Sequence, residues 1–124
     1  MERDTAQRRA IRAVLDAAGR PLSPKEVLRE GRERVASLGM ATVYRTLNAL
    51  VDEGSVTPVE LPGEPARYEM SGKPHHHHFH CRECDQVYEV DGCPGNLRQG
   101  VPSGFVLDSH ELVLYGRCAT CVAA

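Results

Sequence analysis

The chain has no tryptophan, and only two phenylalanines and four tyrosines among its 124 residues. So few large side chains make a thin core, and small folding units of this composition gain from a structural metal or a partner chain. No apolar run approaches the ~20 residues that cross a bilayer, which sets aside a membrane-spanning reading. Met1-Glu2-Arg3-Asp4-Thr5 is charged and lacks the apolar core of a signal peptide, so a cytoplasmic location is expected. Thiols in that compartment serve metals more often than disulfides. An odd count of five cysteines also fits a disulfide framework poorly. Residues 1–74 contain no histidine at all, and beyond the histidine run no repeat or low-complexity segment is present.

What the chain does have is concentrated. His75-His76-His77-His78-Phe79-His80-Cys81-Arg82-Glu83-Cys84 holds five of the six histidines and two of the cysteines. Cys118-Ala119-Thr120-Cys121 supplies a second C-x-x-C pair. Two such pairs predict a tetrathiolate zinc site of Cys81, Cys84, Cys118 and Cys121, because zinc favours four sulfur or nitrogen ligands in a tetrahedron. That leaves the imidazoles for a second, exchangeable metal. In an extended strand, His76, His78 and His80 point one way and His75, His77 and Phe79 the other, so one ladder can feed two sites. Glu69 and Glu89 lie on neighbouring predicted strands and can join. Imidazole and carboxylate accept zinc, iron and manganese alike. Cys93 reads as a plain thiol, with a ligand or redox role as the alternative.

The net charge of −2 hides an asymmetry: residues 1–50 carry a net +4 and the remainder a net −6. A basic front half suits a polyanion, and an acidic, ligand-rich back half suits cations. Ile11, Val14, Leu15 and Ala18 predict a helix over 5–18. Ser23-Pro24-Lys25-Glu26 has the residues of a capped helix start. Val43, Leu47, Leu50 and Val51 form the apolar face of a third helix over 39–53. Two short strands, 55–59 and 67–70, flank a turn-rich tip. Three helices and a hairpin make a winged helix-turn-helix over 1–72. Residues 73–124 read as strands at the histidine ladder, 86–90, 105–107 and 110–115, with room for only a short helix. The fold class is therefore α+β. Thr42, Tyr44 and Arg45 lie off the third helix's apolar face and can reach base edges, while Arg8 and Arg9 can reach phosphates. The pattern also fits a protein-interaction module.

An enzyme is not expected. A zinc deaminase would show H-x-E and P-C-x-x-C, but Cys81 follows His80 and no upstream H-x-E exists. A metal chaperone or storage protein would be histidine-rich but would not need a winged helix.

Three stretches are familiar in combination. Ala41-Thr42-Val43-Tyr44-Arg45-Thr46-Leu47-Asn48-Ala49-Leu50, then His75 to His78 ahead of Cys81 and Cys84, then His110-Glu111-Leu112-Val113-Leu114-Tyr115-Gly116-Arg117-Cys118, resemble the ferric uptake regulator family, most of all its zinc uptake branch. The resemblance implies a bacterial transcriptional repressor, active as a metal-loaded homodimer on double-stranded operator DNA with an A·T-rich inverted repeat. It implies a winged-helix domain followed by a small α/β dimerisation domain. It makes Cys81, Cys84, Cys118 and Cys121 the structural Zn2+ ligands. Glu69, His76, His78 and Glu89 become a regulatory site at the hinge for Zn2+, with Fe2+ or Mn2+ sensing, or peroxide sensing, as the alternative. His75, His77 and His110 become an additional site, and Arg8, Tyr44 and Arg45 DNA-facing residues. The chain departs from the family near Pro21, where the hinge site often takes a histidine. It departs again near Asn96, where the additional site usually has a glutamate and Asp91 could substitute.

Overall fold

The computed structural model describes residues 5–93 and 97–124. Asn96, the position matched to the family's glutamate, lies outside them. The chain divides into two compact units, Met1–Lys73 and Pro74–Ala124. No helix among the described residues is long and apolar enough to cross a membrane.

In the first unit, helix α1 spans Ala6–Ala18. It starts where the Thr5 hydroxyl accepts the Arg8 backbone N–H at 3.1 Å, satisfying a donor the helix cannot. It ends at Gly19, whose φ of 62° is a left-handed conformation that glycine adopts without penalty. Helix α2, Pro24–Gly31, opens on the capping box read in the sequence. Ser23 Oγ accepts the Glu26 N–H at 3.2 Å, and Glu26 Oε1 accepts the Ser23 N–H at 3.1 Å. Helix α3 spans Met40–Asp52. Strands β1 (Val56–Val59) and β2 (Arg67–Met70) form the antiparallel wing, with Val56 opposite Met70. Leu22, ahead of α2, exchanges both backbone hydrogen bonds with Tyr68 at 2.9 Å.

Ile11, Leu22, Val27, Val43, Leu47 and Leu50 are fully buried together. Each contributes roughly 1.5–3 kcal/mol relative to exposure. Glu26 has a second task beyond its cap. Its carboxylate lies 3.0 Å from Arg20 and 3.6 Å from Arg67, a side chain almost fully buried on the wing.

In the second unit, β3 (His76–Cys81) is central to a three-stranded sheet of order β4-β3-β5. Strand β4 (Val87–Asp91) runs antiparallel to it, pairing His76 with Asp91 and His78 with Glu89. Strand β5 (Val113–Gly116) runs parallel, pairing His78 with Val113. Helix α4, Ala119–Ala123, follows. Gly116 is fixed by packing: a Cβ there would meet the Phe79 ring at 3.0 Å.

Two expectations need correction. Residues 105–107 are not a strand. Phe105 and Val106 are 69% and 83% exposed and belong to a stretch without sheet partners, so an apolar run alone did not suffice. The last strand begins at Val113 rather than His110, because pairing with β3 starts there.

Candidate metal centres and nucleic-acid interface

The two C-x-x-C pairs meet at one point. Cys81 leaves the end of β3 and Cys84 closes the turn after it, while Cys118 caps α4 and Cys121 lies on it. Asp85 takes a left-handed φ of 66° to reverse the chain, which aspartate tolerates better than most residues. Sulfur separations are 3.7 Å for Cys81–Cys121 and 3.8 Å for Cys84–Cys118. A tetrahedron with Zn–S bonds of about 2.3 Å has edges of about 3.8 Å, so the donor set fits zinc. The N–H groups of Cys118 and Cys84 point at the Cys81 sulfur from 3.3 and 3.5 Å. Such donors favour the thiolate and pull the Cys81 thiol down to about 6, with the Cys84 N–H the largest cause. Cys118 is also lowered, first by the Cys121 backbone and then by the Tyr88 hydroxyl. Cys121 is pushed up to about 12, chiefly by its hydrogen bond with Cys118. Four thiolates cannot crowd together without a compensating cation, and a dication supplies that charge.

A second quartet forms at the other end of β3. His75, His77, Cys93 and His110 converge. The three histidines are those expected from the sequence, and Cys93, read there first as a plain thiol, joins them in the ligand role given as its alternative. His77 Nε2 lies 3.1 Å from His75 Nε2, 3.0 Å from His110 Nε2 and 3.2 Å from Cys93 Sγ. The remaining separations are 3.0 Å for His75–Cys93, 3.3 Å for His75–His110 and 3.2 Å for Cys93–His110. His77 is the buried member. Its pKa is lowered from 6.5, first by burial and then by His75 and His110, so the imidazole is held in the neutral form that binds metals. The register pairs His76 with Asp91, which brings the end of β4 back to the His75 end of β3. Gly92, with φ of 73°, then turns the chain out of the ladder ahead of Cys93.

The opposite face of β3 carries the expected regulatory imidazoles. His76 and His78 have ring centroids 4.9 Å apart. His78 sits directly across from Glu89 in the β3–β4 ladder. His76 Nδ1 is 2.8 Å from the Pro74 carbonyl, which can only accept, so Nδ1 carries the proton and Nε2 keeps its lone pair. That Nε2 is 3.4 Å from Glu89 Oε1. Glu69 is on β2 in the first unit, opposite Thr57, with Lys73 Nζ 3.8 Å from its carboxylate. His80 does not follow His76 and His78: its Nε2 is 2.6 Å from Asp85 Oδ1.

On α3, Val43, Leu47 and Leu50 face inward, which turns Tyr44 and Arg45 out. Tyr44 is 48% exposed, and Arg45 reaches back to the Thr42 hydroxyl at 3.1 Å. Arg8 is buried and ion-paired with Glu53 at the end of α3, which makes it a bridge between the two helices. Its neighbour Arg9 is exposed.

A model of the ferric uptake regulator family matches residues 2–115. A ferric uptake regulation protein of Campylobacter upsaliensis is 33% identical, over 94% of this chain and 78% of its own length. Among solved structures, a zinc-bound manganese uptake regulator superposes with a TM-score of 0.84 at 29% identity, covering 94% of this chain and 91% of the other. FurB of M. tuberculosis, a zinc uptake regulator, superposes with a TM-score of 0.51 at 30% identity, covering 93% and 92%.

Proposed function

The chain belongs to the ferric uptake regulator family of metal-responsive transcriptional regulators, and on that premise we propose that it is a cytoplasmic zinc-responsive repressor of zinc uptake genes. It acts as a homodimer on an A·T-rich inverted repeat. The observation that carries this reading is the pair of imidazoles on one face of β3 beside Glu89, with the His76 tautomer set by Pro74. A bound dication supplies the charge that lets two imidazoles and a carboxylate share one point. Glu69 is the further ligand that the family resemblance adds.

Regulation needs no more than a difference in affinity. The DNA-competent population rises only if metal binds that form more tightly, and a nearly complete switch needs about 10⁴-fold. Within the first unit, Tyr44 offers an aromatic edge for thymine methyls and Arg45 a cationic fork for a phosphate or base edge. Paired α3 helices would read half-sites one helical turn or a multiple apart.

Zinc is favoured because two imidazoles with carboxylates, on a chain that also offers a tetrathiolate, suit a borderline-soft dication. Iron is the second reading, supported by the names of the sequence relatives. Operator binding measured at buffered free zinc, ferrous iron and manganese separates them. The zinc reading fails if only iron or manganese activates binding.

A further inference from the structure

We propose that Cys93 binds as a thiolate with His75, His77 and His110, completing a closed zinc-type site of three nitrogens and one sulfur that fastens the segment from Cys93 to His110 onto β3. The site lies entirely within the Pro74–Ala124 unit. It uses the face of β3 opposite His76 and His78, and stands independently of the regulatory reading.

The geometry carries the proposal. Three Nε2 atoms and one Sγ make six mutual contacts, all between 3.0 and 3.3 Å. A point equidistant from four atoms so arranged is about 1.9 Å from each, close to a Zn–N bond of about 2.0–2.1 Å. Opening the sulfur by a few tenths of an ångström brings it to about 2.3 Å. Hydrogen bonding does not account for the cluster. Each Nε2 offers one proton or one lone pair, never both. Three such imidazoles and one thiol, with at most one proton each at these atoms, cannot turn all six contacts into hydrogen bonds, so some must set like against like. A cation at the centre satisfies all of them at once.

The topology explains why these four residues meet. Strand β4 runs back along β3 and delivers Cys93 to the His75 end. Strand β5 enters parallel to β3, with Val113 beside His78, so His110 arrives at that same end. Between them lies a stretch whose described part has one short 3-10 turn, Leu97–Gly100, and exposed apolar side chains at Phe105 and Val106. With Phe105 and Val106 exposed, the described part of that stretch gains order from a tether at each end. Closing a loop of this size is a modest entropic cost that one tight metal readily offsets.

The thiolate also sets the selectivity. Sulfur and imidazole favour zinc and cobalt, while magnesium and manganese prefer oxygen ligands. The resemblance implies a glutamate in this kind of site, so the cysteine moves the chemistry from hard to borderline-soft.

Two measurements test it. In the first, protein retaining its tetrathiolate zinc, with the other sites stripped by a mild chelator, is titrated with Co2+, and zinc content is followed in the same sample. Wild type should develop near-ultraviolet thiolate-to-cobalt absorption with tetrahedral visible bands. Cys93→Ala should lose the near-ultraviolet increment while keeping the tetrathiolate zinc, and His76→Ala should keep it. The second needs no variant. One equivalent of Zn2+ should slow alkylation of Cys93 in wild type by about tenfold or more, because a bound thiolate is a poor nucleophile. A Cys93→Ala cobalt spectrum identical to wild type, or a Cys93 alkylation rate unchanged by Zn2+, overturns the proposal.

Discussion

The Arg67 guanidinium on the wing lies 3.6 Å from the carboxylate of Glu26, the same carboxylate that caps α2. The hairpin is thus tied to the helix that precedes the recognition segment. The two partners are not equivalent. Without Arg67, Glu26 keeps Arg20 at 3.0 Å and its cap. Without Glu26, the buried Arg67 keeps Glu64 at 3.5 Å, and the Ser23 N–H loses its acceptor while the Ser23 hydroxyl keeps the backbone N–H at position 26. Glu26→Ala should therefore cost about 3–4 kcal/mol, clearly more than Arg67→Met. Urea denaturation of the two variants checks this, and equal costs would mean that the carboxylate is no hub.

Arg8 gives a prediction of a different kind. Paired with Glu53 and buried, it joins α1 to the end of α3. Arg8→Ala should destabilise the fold by about 1–2 kcal/mol, discounted because Glu53 is partly exposed. The slope of DNA affinity against salt should stay near the wild-type value, since no phosphate contact is removed. A stable variant with a shallower slope would return Arg8 to the DNA.

Cys84→Ser should lose the tight zinc and with it the folded second unit, because metal binding in such a site is folding free energy. Metal analysis and heteronuclear NMR read the two effects separately. A folded, zinc-free Cys84→Ser protein would contradict the structural role.

His77 adds a pH dependence. Burial lowers its pKa in the fold below the ordinary 6.5, so the unfolded chain takes up the proton first. Stability from this group is full above 6.5 and is lost as pH falls below it. Thermal midpoints of protein holding only its tetrathiolate zinc should drop between about pH 7 and 5, and His77→Asn should flatten part of that slope. An identical slope in the variant would assign the effect elsewhere.

Much of this was legible in the residues. The capping box at Ser23 and Glu26 and the apolar stripe at Val43, Leu47 and Leu50 are local patterns with one good solution, and the structure has them. The cysteine pairs carry their own geometry, and alternation along β3 separates His75 and His77 from His76 and His78. Cys93 was not legible, because its partners depend on β4 pairing back along β3 and on the turn at Gly92, a long-range arrangement that no local pattern encodes. The same reason applies to residues 105–107, where apolar character was mistaken for pairing. The burial of Arg8 was not legible because a charge on a helix reads as exposed until its partner, 45 positions away in the chain, is known.

The central claim is that metal held by His76 and His78 switches on operator binding. Its most direct test is fluorescence anisotropy of an A·T-rich inverted repeat, with a scrambled duplex as control, at buffered free Zn2+. Wild type should bind the repeat selectively only when zinc is present. His76→Ala and His78→Ala should lose that response while keeping the tetrathiolate zinc, and Tyr44→Ala should lose about 1–3 kcal/mol of sequence preference. Selective binding that is indifferent to zinc, ferrous iron and manganese, or a metal response that survives in both histidine variants, would contradict the account.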